Sequence, residues 1–352
     1  MTVIVRQAVI SDKESWNNYI FSNDQATPYH NYSWVQSVEQ TYGFKNISLI
    51  ATDEERVVGI LPIIQMRHPF SAGSLCSLPY CDVGYVVANS QKIKDELLNK
   101  LLELKQVTKS KQIEYRDVAN NENIESTDTS LLTGRKVRMI LPLPDSSEIL
   151  LKNFKSKLRS QIRKAEKNGL TYKTGCSIEL LEEFYKVFVV NMRRLGSPVH
   201  SKELFLKLLQ NYQEDMLISI VYKDDIIPVG GGIVLKQGTK VSIPWASTLS
   251  EYNRLAPNML LYWSLLKKVC DSGSREFDFG RSTYNEGTYN FKKQWGATPV
   301  LLKWSLPDED YPDDKKEKTK GFSRKLVERY WPVLPLGMTI RLGSLVRKYI
   351  SL

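Results

Sequence analysis

Two stretches of the chain share one rhythm of apolar and polar positions. Residues 48–64 (SLIATDEERVVGILPII) run apolar, acidic, apolar, and residues 219–235 (SIVYKDDIIPVGGGIVL) do the same. Each predicts two strands joined by a charged turn. Each is followed by a Ser-x-Pro-aromatic word, Ser77-Leu78-Pro79-Tyr80 and Ser242-Ile243-Pro244-Trp245, read as a third short strand. A helical segment comes next, with apolar residues at Ile93, Leu97, Leu98, Leu101 and Leu102 in one case and at Leu260, Leu261, Leu265, Leu266 and Val269 in the other. Those spacings follow the 3.6-residue period. Residues 112–118 and 275–280 then close each unit with a strand. The order β-β-β-α-β, met twice, predicts a duplicated α/β (α+β) protein in which helices pack on mixed sheets. No GxGxxG or GxxxxGK[ST] word points to a Rossmann or P-loop site.

Asp145-Ser146-Ser147 offers side-chain oxygens to the free amides of a first helical turn. It predicts a helix over residues 148–167, ended by Asn168-Gly169, since glycine accepts the left-handed conformation of a helix stop. The lobe boundary falls near residue 145, giving an N-terminal lobe over 1–145 and a C-terminal lobe over 146–306. Residues 307–320 (PDEDYPDDKKEKTK) read as a charged linker, and 321–352 as a basic amphipathic tail.

Composition narrows the class. With 42% apolar and 25% charged residues the 352-residue chain has enough apolar content for two globular cores. No uninterrupted apolar run is long enough to span a bilayer, and the N-terminus lacks the basic-then-apolar order of a secretory signal. The expected location is cytoplasmic. Four cysteines without a CxxC pair read as reduced thiols. The net charge of +10 is uneven: residues 313–352 carry ten Lys/Arg against four Asp/Glu. A second basic concentration lies between Lys152 and Lys167.

Within the helix expected over 148–167, Leu151, Phe154, Leu158, Ile162 and Ala165 form an apolar stripe beside Lys152, Lys155, Arg159, Arg163 and Lys167. Like charges along one face repel, so the stripe reads either as a solvated face or as a site for an anion such as phosphate, which Arg grips bidentately. Arg159 and Arg163 are the candidate holders. The segment Phe277-Asp278-Phe279-Gly280-Arg281-Ser282 ends a strand, and a polar loop leads to Phe291-Lys292-Lys293-Gln294-Trp295-Gly296. Here Arg281 is a candidate for a phosphate or carboxylate, and Lys292 for the oxyanion that forms when an amine or hydroxyl attacks an acyl carbonyl. Tyr289 in the same loop, Trp245 in the second Ser-x-Pro word, and Tyr80 and Asp82 at the first complete the candidate substrate-binding set. Gly230-Gly231-Gly232 inside a strand marks close approach, either of a ligand or of a neighbouring element. A gap between splayed strands would suit the amide-rich arm of a donor. Cys81 would need a histidine partner to act as a nucleophile, and His30, His68 and His200 are scattered. No His/Cys/Asp group has metal-ligand spacing. In the tail, Phe322, Leu326, Tyr330 and Trp331, then Leu342, Leu345, Val346, Tyr349 and Ile350, alternate with basic residues. That pattern suits an anionic membrane surface or an arm docked on its own domain.

With these residues in view, the chain resembles the FemAB-like acyltransferases of the GNAT superfamily, including the FemAB-type proteins associated with exopolysaccharide and PEP-CTERM/exosortase loci. The resemblance rests on Tyr29-His30-Asn31-Tyr32-Ser33-Trp34, Tyr42-Gly43-Phe44, Gly59-Ile60-Leu61-Pro62, Ser77-Leu78-Pro79-Tyr80 and residues 159–169. It rests most of all on Asp278-Phe279-Gly280-Arg281-Ser282 with residues 291–297 (FKKQWGA). It implies two tandem GNAT-like lobes and an acyltransferase that moves an aminoacyl or acyl group to an amine or hydroxyl of an anionic cell-envelope or polysaccharide precursor. The implied donor is aminoacyl-tRNA or acyl-CoA, with no tightly bound cofactor. Lys292 would be the catalytic cation with Phe291 beside it, and Arg159 or Arg163 would hold acceptor phosphates. The chain departs from the better-known aminoacyltransferases in lacking a long coiled-coil insertion, and from acyl-CoA enzymes in lacking a [QR]xxGx[GA] loop. Two other readings stay open: a non-catalytic membrane-peripheral scaffold for exopolysaccharide or exosortase assembly, touching the inner membrane through the tail, and an RNA-binding protein without chemistry.

Overall fold

The computed structural model describes residues 3–68, 71–119, 132–306 and 329–352. The chain divides into two units. Unit 1 takes Met1–Thr127, Leu301–Pro312 and Tyr349–Leu352, and unit 2 takes Asp128–Val300 and Asp313–Lys348. The charged linker expected over 307–320, and Phe322 and Leu326 of the tail, lie outside the described residues.

Unit 1 runs β1 (Ile4–Gln7), α1 (Lys13–Phe21), α2 (Tyr32–Tyr42), β2 (Lys45–Asn46), β3 (Leu49–Asp53), β4 (Arg56–Leu61), β5 (Ile64–His68), β6 (Ser71–Cys76), β7 (Val87–Ala88), α3 (Gln91–Val107), β8 (Gln112–Glu114) and β9 (Asp117–Val118). It has two four-stranded sheets, β1-β3-β4-β7 and β2-β5-β6-β8. One long hairpin feeds both. It breaks at Pro62-Ile63, where the Ile63 amide donates to Ser48 Oγ at 2.9 Å. α3 starts at Ser90, whose hydroxyl accepts from the Ile93 amide, and packs Leu97 and Leu101 onto Leu49, Leu61 and Leu75. Gly59 permits that approach, because a Cβ there would fall 2.8 Å from Ile93 Cγ2.

Unit 2 runs β10 (Lys136–Pro142), α4 (Ser147–Asn153), α5 (Ser156–Lys167), β11 (Leu170–Gly175), α6 (Ile178–Arg194), α7 (Lys202–Tyr212), β12 (Met216–Lys223), β13 (Ile227–Gln237), β14 (Lys240–Thr248), α8 (Pro257–Asp271), β15 (Glu276–Thr283), α9 (Gly287–Lys293), the start of β16 (Thr298–Lys303) and α10 (Leu336–Arg347). Its strands follow the order β11-β12-β13-β14-β15-β10. β10, on the N-terminal side of the boundary expected at residue 145, pairs with β15 and belongs to this unit. All pairs are antiparallel except β14 with β15. Unit 1 repeats that pattern, with β3–β4 and β5–β6 antiparallel and β6–β8 parallel. Both first hairpins even turn the same way, on consecutive left-handed acidic residues: Glu54 and Glu55 (φ 46° and 68°), and Asp224 and Asp225 (φ 54° and 60°). In the first hairpin these two residues are the whole turn, whose twist matches the strands; in the second, Ile226 adds a third residue before β13.

Beyond that boundary, the structure departs from the expected elements in several places and, at the glycine triplet, takes one of the two readings left open. The strand expected over 112–118 is two, β8 and β9, parted at Tyr115-Arg116. The helix expected over 148–167 is two helices, α4 and α5, broken where Phe154 turns extended (φ −69°, ψ 145°). Phe154 is buried against Trp263 and Trp295, and that packing pulls the backbone out of the helix. The basic stripe is therefore not one helix face. The two Ser-x-Pro words also differ. Residues 242–245 lie within β14, whereas residues 77–80 form a turn with Tyr80 at φ 70°. Finally, the glycine triplet serves helix packing. Cβ atoms on Gly231 and Gly232 would meet Phe184 of α6 at 3.2 Å and Leu265 of α8 at 3.1 Å.

The described part of the tail splits its apolar residues. Trp331 is buried, while Tyr330 is exposed. α10 rests on unit 2 through Thr339 and Gly343, both buried.

Candidate active site

Unit 2 contains a fork between two parallel strands. β14 and β15 pair in parallel only from Lys240↔Glu276 to Ser242↔Asp278. Beyond that point β14 stays with β13 and β15 stays with β10. Each strand carries a bulge there. In β14 the register shifts between Leu235↔Ser242 and Ile233↔Trp245, which gives β14 one extra residue beside Pro244. Proline has no amide to lose from a ladder, so a bulge tolerates it. In β15 the shift lies between Ile140↔Asp278 and Arg138↔Arg281. Its extra residue falls at Phe279-Gly280, and Gly280 sits at φ 71°, a conformation glycine adopts without Cβ strain. Bulges bend a strand and re-aim its side chains; these two turn the fork's arms apart.

The β15 bulge is held from two directions. Asp278, 1% exposed, accepts from the Gly280 amide at 2.8 Å. Its Oδ2 lies 2.9 Å from Arg138 of β10, off the line of a well-directed hydrogen bond. Arg281 stands directly opposite Arg138 in the ladder, so two guanidiniums share one face of the sheet beside the Asp278 carboxylate. From the other direction, Lys292 of α9 donates to Gly280 O at 3.0 Å and to Arg281 O at 2.7 Å. The ammonium is buried, where a positive charge acts through a lower dielectric than at the surface.

Around it stands an aromatic cluster. Tyr262 of α8 stacks on Phe279 at 5.5 Å and meets Phe291 at 5.1 Å, and Trp295 meets Phe154 at 5.4 Å. Burial pushes the Tyr262 hydroxyl up to about 12, so it stays neutral. Tyr289, buried on α9, packs on Tyr284 at 4.9 Å, with the Lys293 ammonium 5.6 Å from its ring. Trp245, on the β14 arm, packs on Phe205 at 4.8 Å and on His200 at 5.9 Å. Burial, and then the charge of Arg347, holds His200 well below its ordinary value, so the ring is neutral.

The candidate residues of the sequence reading fall into groups. Arg281, Tyr289, Phe291 and Lys292 come together at the fork. Trp245 lies on its other arm. Arg159 donates to Lys152 O at 2.9 Å and Phe154 O at 2.8 Å, capping the end of α4. Arg163 is exposed on α5. Tyr80 and Asp82 belong to unit 1, where Tyr80 is buried against Tyr42 and the Asp82 carbonyl accepts from Trp304. Cys81 is buried, and burial raises its thiol well above the ordinary value. It holds no thiolate for nucleophilic work.

The corresponding fork in unit 1 is sealed by its own side chains. Beyond Cys76↔Glu114 the Ser77 hydroxyl accepts from the Arg116 amide at 2.9 Å. The buried Arg116 guanidinium donates to Leu78 O at 2.7 Å and Ser351 O at 2.9 Å. Arg116 drew no attention in the sequence, and Asp278 stood there only within the Asp278-Phe279-Gly280-Arg281-Ser282 word, without a role of its own. The signal at Asp278 was a carboxylate between Phe277 and Phe279, which asks for a buried partner.

Residues 152–293 match the family profile of the acetyltransferase (GNAT) domain. Over 185 residues the chain is 23% identical to a UDP-N-acetylmuramoylpentapeptide-lysine N(6)-alanyltransferase of Weissella viridescens, covering 50% of this chain and 53% of that protein. The chain thus matches about half the length of this curated relative. Among solved structures it is similar to FemX (TM-score 0.65, 16% identity, 86% of this chain and 95% of that one). It is also similar to a tandem GNAT protein from the clavulanic acid biosynthesis pathway (TM-score 0.51, 10% identity, 86% and 97%). The fold is that of a tandem GNAT protein, and the match to the acetyltransferase (GNAT) domain falls within unit 2.

Proposed function

We propose that this chain, a tandem GNAT-fold protein with its acetyltransferase-type domain in unit 2, transfers an aminoacyl group from an activated ester to an amine of an anionic envelope precursor. The observation that carries the reading is the divergence of β14 and β15 in unit 2, with a buried ammonium fixed at the β15 bulge, while in unit 1 Ser77 and Arg116 bridge the chain beyond Cys76↔Glu114. The acceptor nitrogen attacks the donor's carbonyl carbon. A C–N bond forms, the ester C–O bond breaks, and the nitrogen's proton passes to the departing hydroxyl. Lys292 supplies fixed positive charge near the oxygen that turns negative in the intermediate. Removing one such group costs roughly 10²–10³ in turnover. Arg281 faces the acceptor's phosphates, and Arg159 keeps the α4–α5 corner in place behind Trp295.

Two further points support aminoacyl-tRNA over acyl-CoA as donor. α8 begins with Pro257 after the left-handed Ala256, so its first turn offers one amide fewer to a pyrophosphate. No glycine-rich loop precedes it. The similarity to an alanyltransferase that acts on a lysine amine of a UDP-linked pentapeptide supports the acceptor class.

The test offers purified protein a UDP-linked muramoyl pentapeptide with charged tRNA or with acetyl-CoA, and reads the product mass. The expected result is a gain of one aminoacyl residue with charged tRNA, lost in Lys292→Met. Acetylation from acetyl-CoA alone would replace the proposed donor. Binding of anionic liposomes with no donor binding and no product would favour the scaffold reading, and binding of tRNA without product the RNA-binding one.

A further inference from the structure

The sequence reading left the tail between a membrane surface and its own domain, and α10 meets its own domain in an unusual way. Its contact with unit 2 uses small residues. Thr339 and Gly343 are buried, and a Cβ on Gly343 would fall 2.9 Å from the Val199 amide nitrogen and 3.5 Å from the Trp331 ring. Arg193 of α6 adds a long hydrogen bond to Leu334 O at 3.4 Å. The large apolar side chains face the other way: Met338 is 47% exposed, Leu342 43%, Leu345 62% and Val346 46%. Met338, Leu342 and Leu345 follow each other at four and three residues, so they form one stripe. Val333, in the turn before the helix, is exposed with them. A helix that only had to pack on its own domain would turn such a stripe inward, because each apolar side chain left in water forfeits its burial free energy.

The charge carried by this segment of the chain has one sign. After Glu328 the chain has no Asp or Glu, and it carries Arg329, Arg341, Arg347 and Lys348. A second copy of the same face would bring these cations against their own kind. An anionic lipid surface satisfies both features at once, taking the apolar stripe into its acyl boundary and the guanidiniums at its headgroups. The helix has 12 residues and is about 18 Å long, too short to span a bilayer, and no helix among the described residues is long and apolar enough to do so. We propose that α10 seats the protein on an anionic membrane leaflet, lying in the plane of the surface with Met338, Leu342 and Leu345 inserted and Arg341 at the phosphates. The proposal stands apart from the chemistry at the fork.

Sedimentation with vesicles tests it, comparing phosphatidylcholine alone with phosphatidylcholine containing phosphatidylglycerol. The full chain should pellet with the anionic vesicles at least about tenfold more strongly than with the neutral ones, since each basic residue at such a surface contributes roughly fivefold. High salt should erase most of that difference. Leu342→Glu with Leu345→Glu should abolish binding, and Arg341→Glu should weaken it about fivefold or more, with unfolding curves like the wild type because all three positions are exposed. A tryptophan at position 345 (Leu345→Trp) gives an independent reading, a blue shift on adding anionic vesicles and none with neutral ones. Equal pelleting with both vesicle types, binding unchanged in the double variant, or no spectral shift would each overturn the proposal. So would a wild-type dimer that the double variant dissociates, which would assign this face to a second copy.

Discussion

Asp278→Asn isolates the charge that holds the fork. In the wild type the carboxylate meets two partners, the Gly280 amide at 2.8 Å and Arg138 at 2.9 Å. Asparagine keeps an oxygen for the amide but removes the charge, leaving the buried Arg138 without its carboxylate. Breaking one side of a buried ion pair costs about 3–5 kcal/mol. The Arg138 contact is poorly directed, so the lower end of that range, about 3 kcal/mol, is expected. Asp278→Ala also strips the acceptor from the Gly280 amide, which adds about 1–3 kcal/mol. Urea unfolding followed by circular dichroism reads these losses. The double variant Arg138→Met/Asp278→Leu completes the experiment: with both charges gone stability should return to within about 2 kcal/mol of wild type, while transfer activity stays low because the bulge has lost its staple. An Asp278→Asn protein within about 1 kcal/mol of wild type would show that the Asp278–Arg138 contact does not hold the bulge, since losing one side of a buried ion pair should cost more than that.

Further outcomes follow from single sites. Arg116→Met should destabilise the protein by about 3–5 kcal/mol, because it strips donors from buried carbonyls, yet turnover of the protein that remains folded should hold, which a stopped assay normalised to folded fraction can show. Gly231→Val would place a Cβ 3.1 Å from Ile220 and 3.2 Å from Phe184, and the overpacking should cost about 1–3 kcal/mol in a urea melt. His200 titrates far below its ordinary value in the folded chain because burial excludes the charged ring. The unfolded chain therefore binds a proton that the folded one refuses, so the stabilisation is complete above about pH 6.5 and is lost as pH falls below it, with a limiting slope of about 1.4 kcal/mol per pH unit. Replacing it with phenylalanine should flatten the fall of the urea midpoint between neutral and mildly acidic pH by that one-proton share.

The duplicated architecture was legible because it is written in short-range patterns. The two hairpins, the two helices at 3.6 spacing and the closing strand of unit 2 appear where the periodicity put them, since each buries an apolar face; the closing strand of unit 1 splits into β8 and β9 around Tyr115-Arg116. Lys292 and Arg281 were legible as a pair because they stand near each other in sequence and meet at one bulge. What the sequence hid depends on distant partners. Nothing local breaks the helix at Phe154, which has neither Pro nor Gly beside it; the break comes from its ring docking on Trp263 and Trp295, from segments more than 100 residues away. The same Ser-x-Pro word makes a strand in one unit and a turn in the other, because in unit 1 Ser77 is taken by the Arg116 amide. The orientation of α10 was hidden too, since periodicity shows that a helix has an apolar stripe and not which side meets the domain.

The proposed acyl transfer belongs at the fork of unit 2. A non-hydrolysable aminoacyl donor analogue carrying a photoreactive group on its acyl end locates it, with the labelled peptides identified by mass spectrometry. The expected labels fall on the β14 arm beyond Ser242 and on residues 279–292, and they disappear when unmodified charged donor competes. Labelling confined to the sealed fork of unit 1, around residues 77–82 and 116, would contradict the claim.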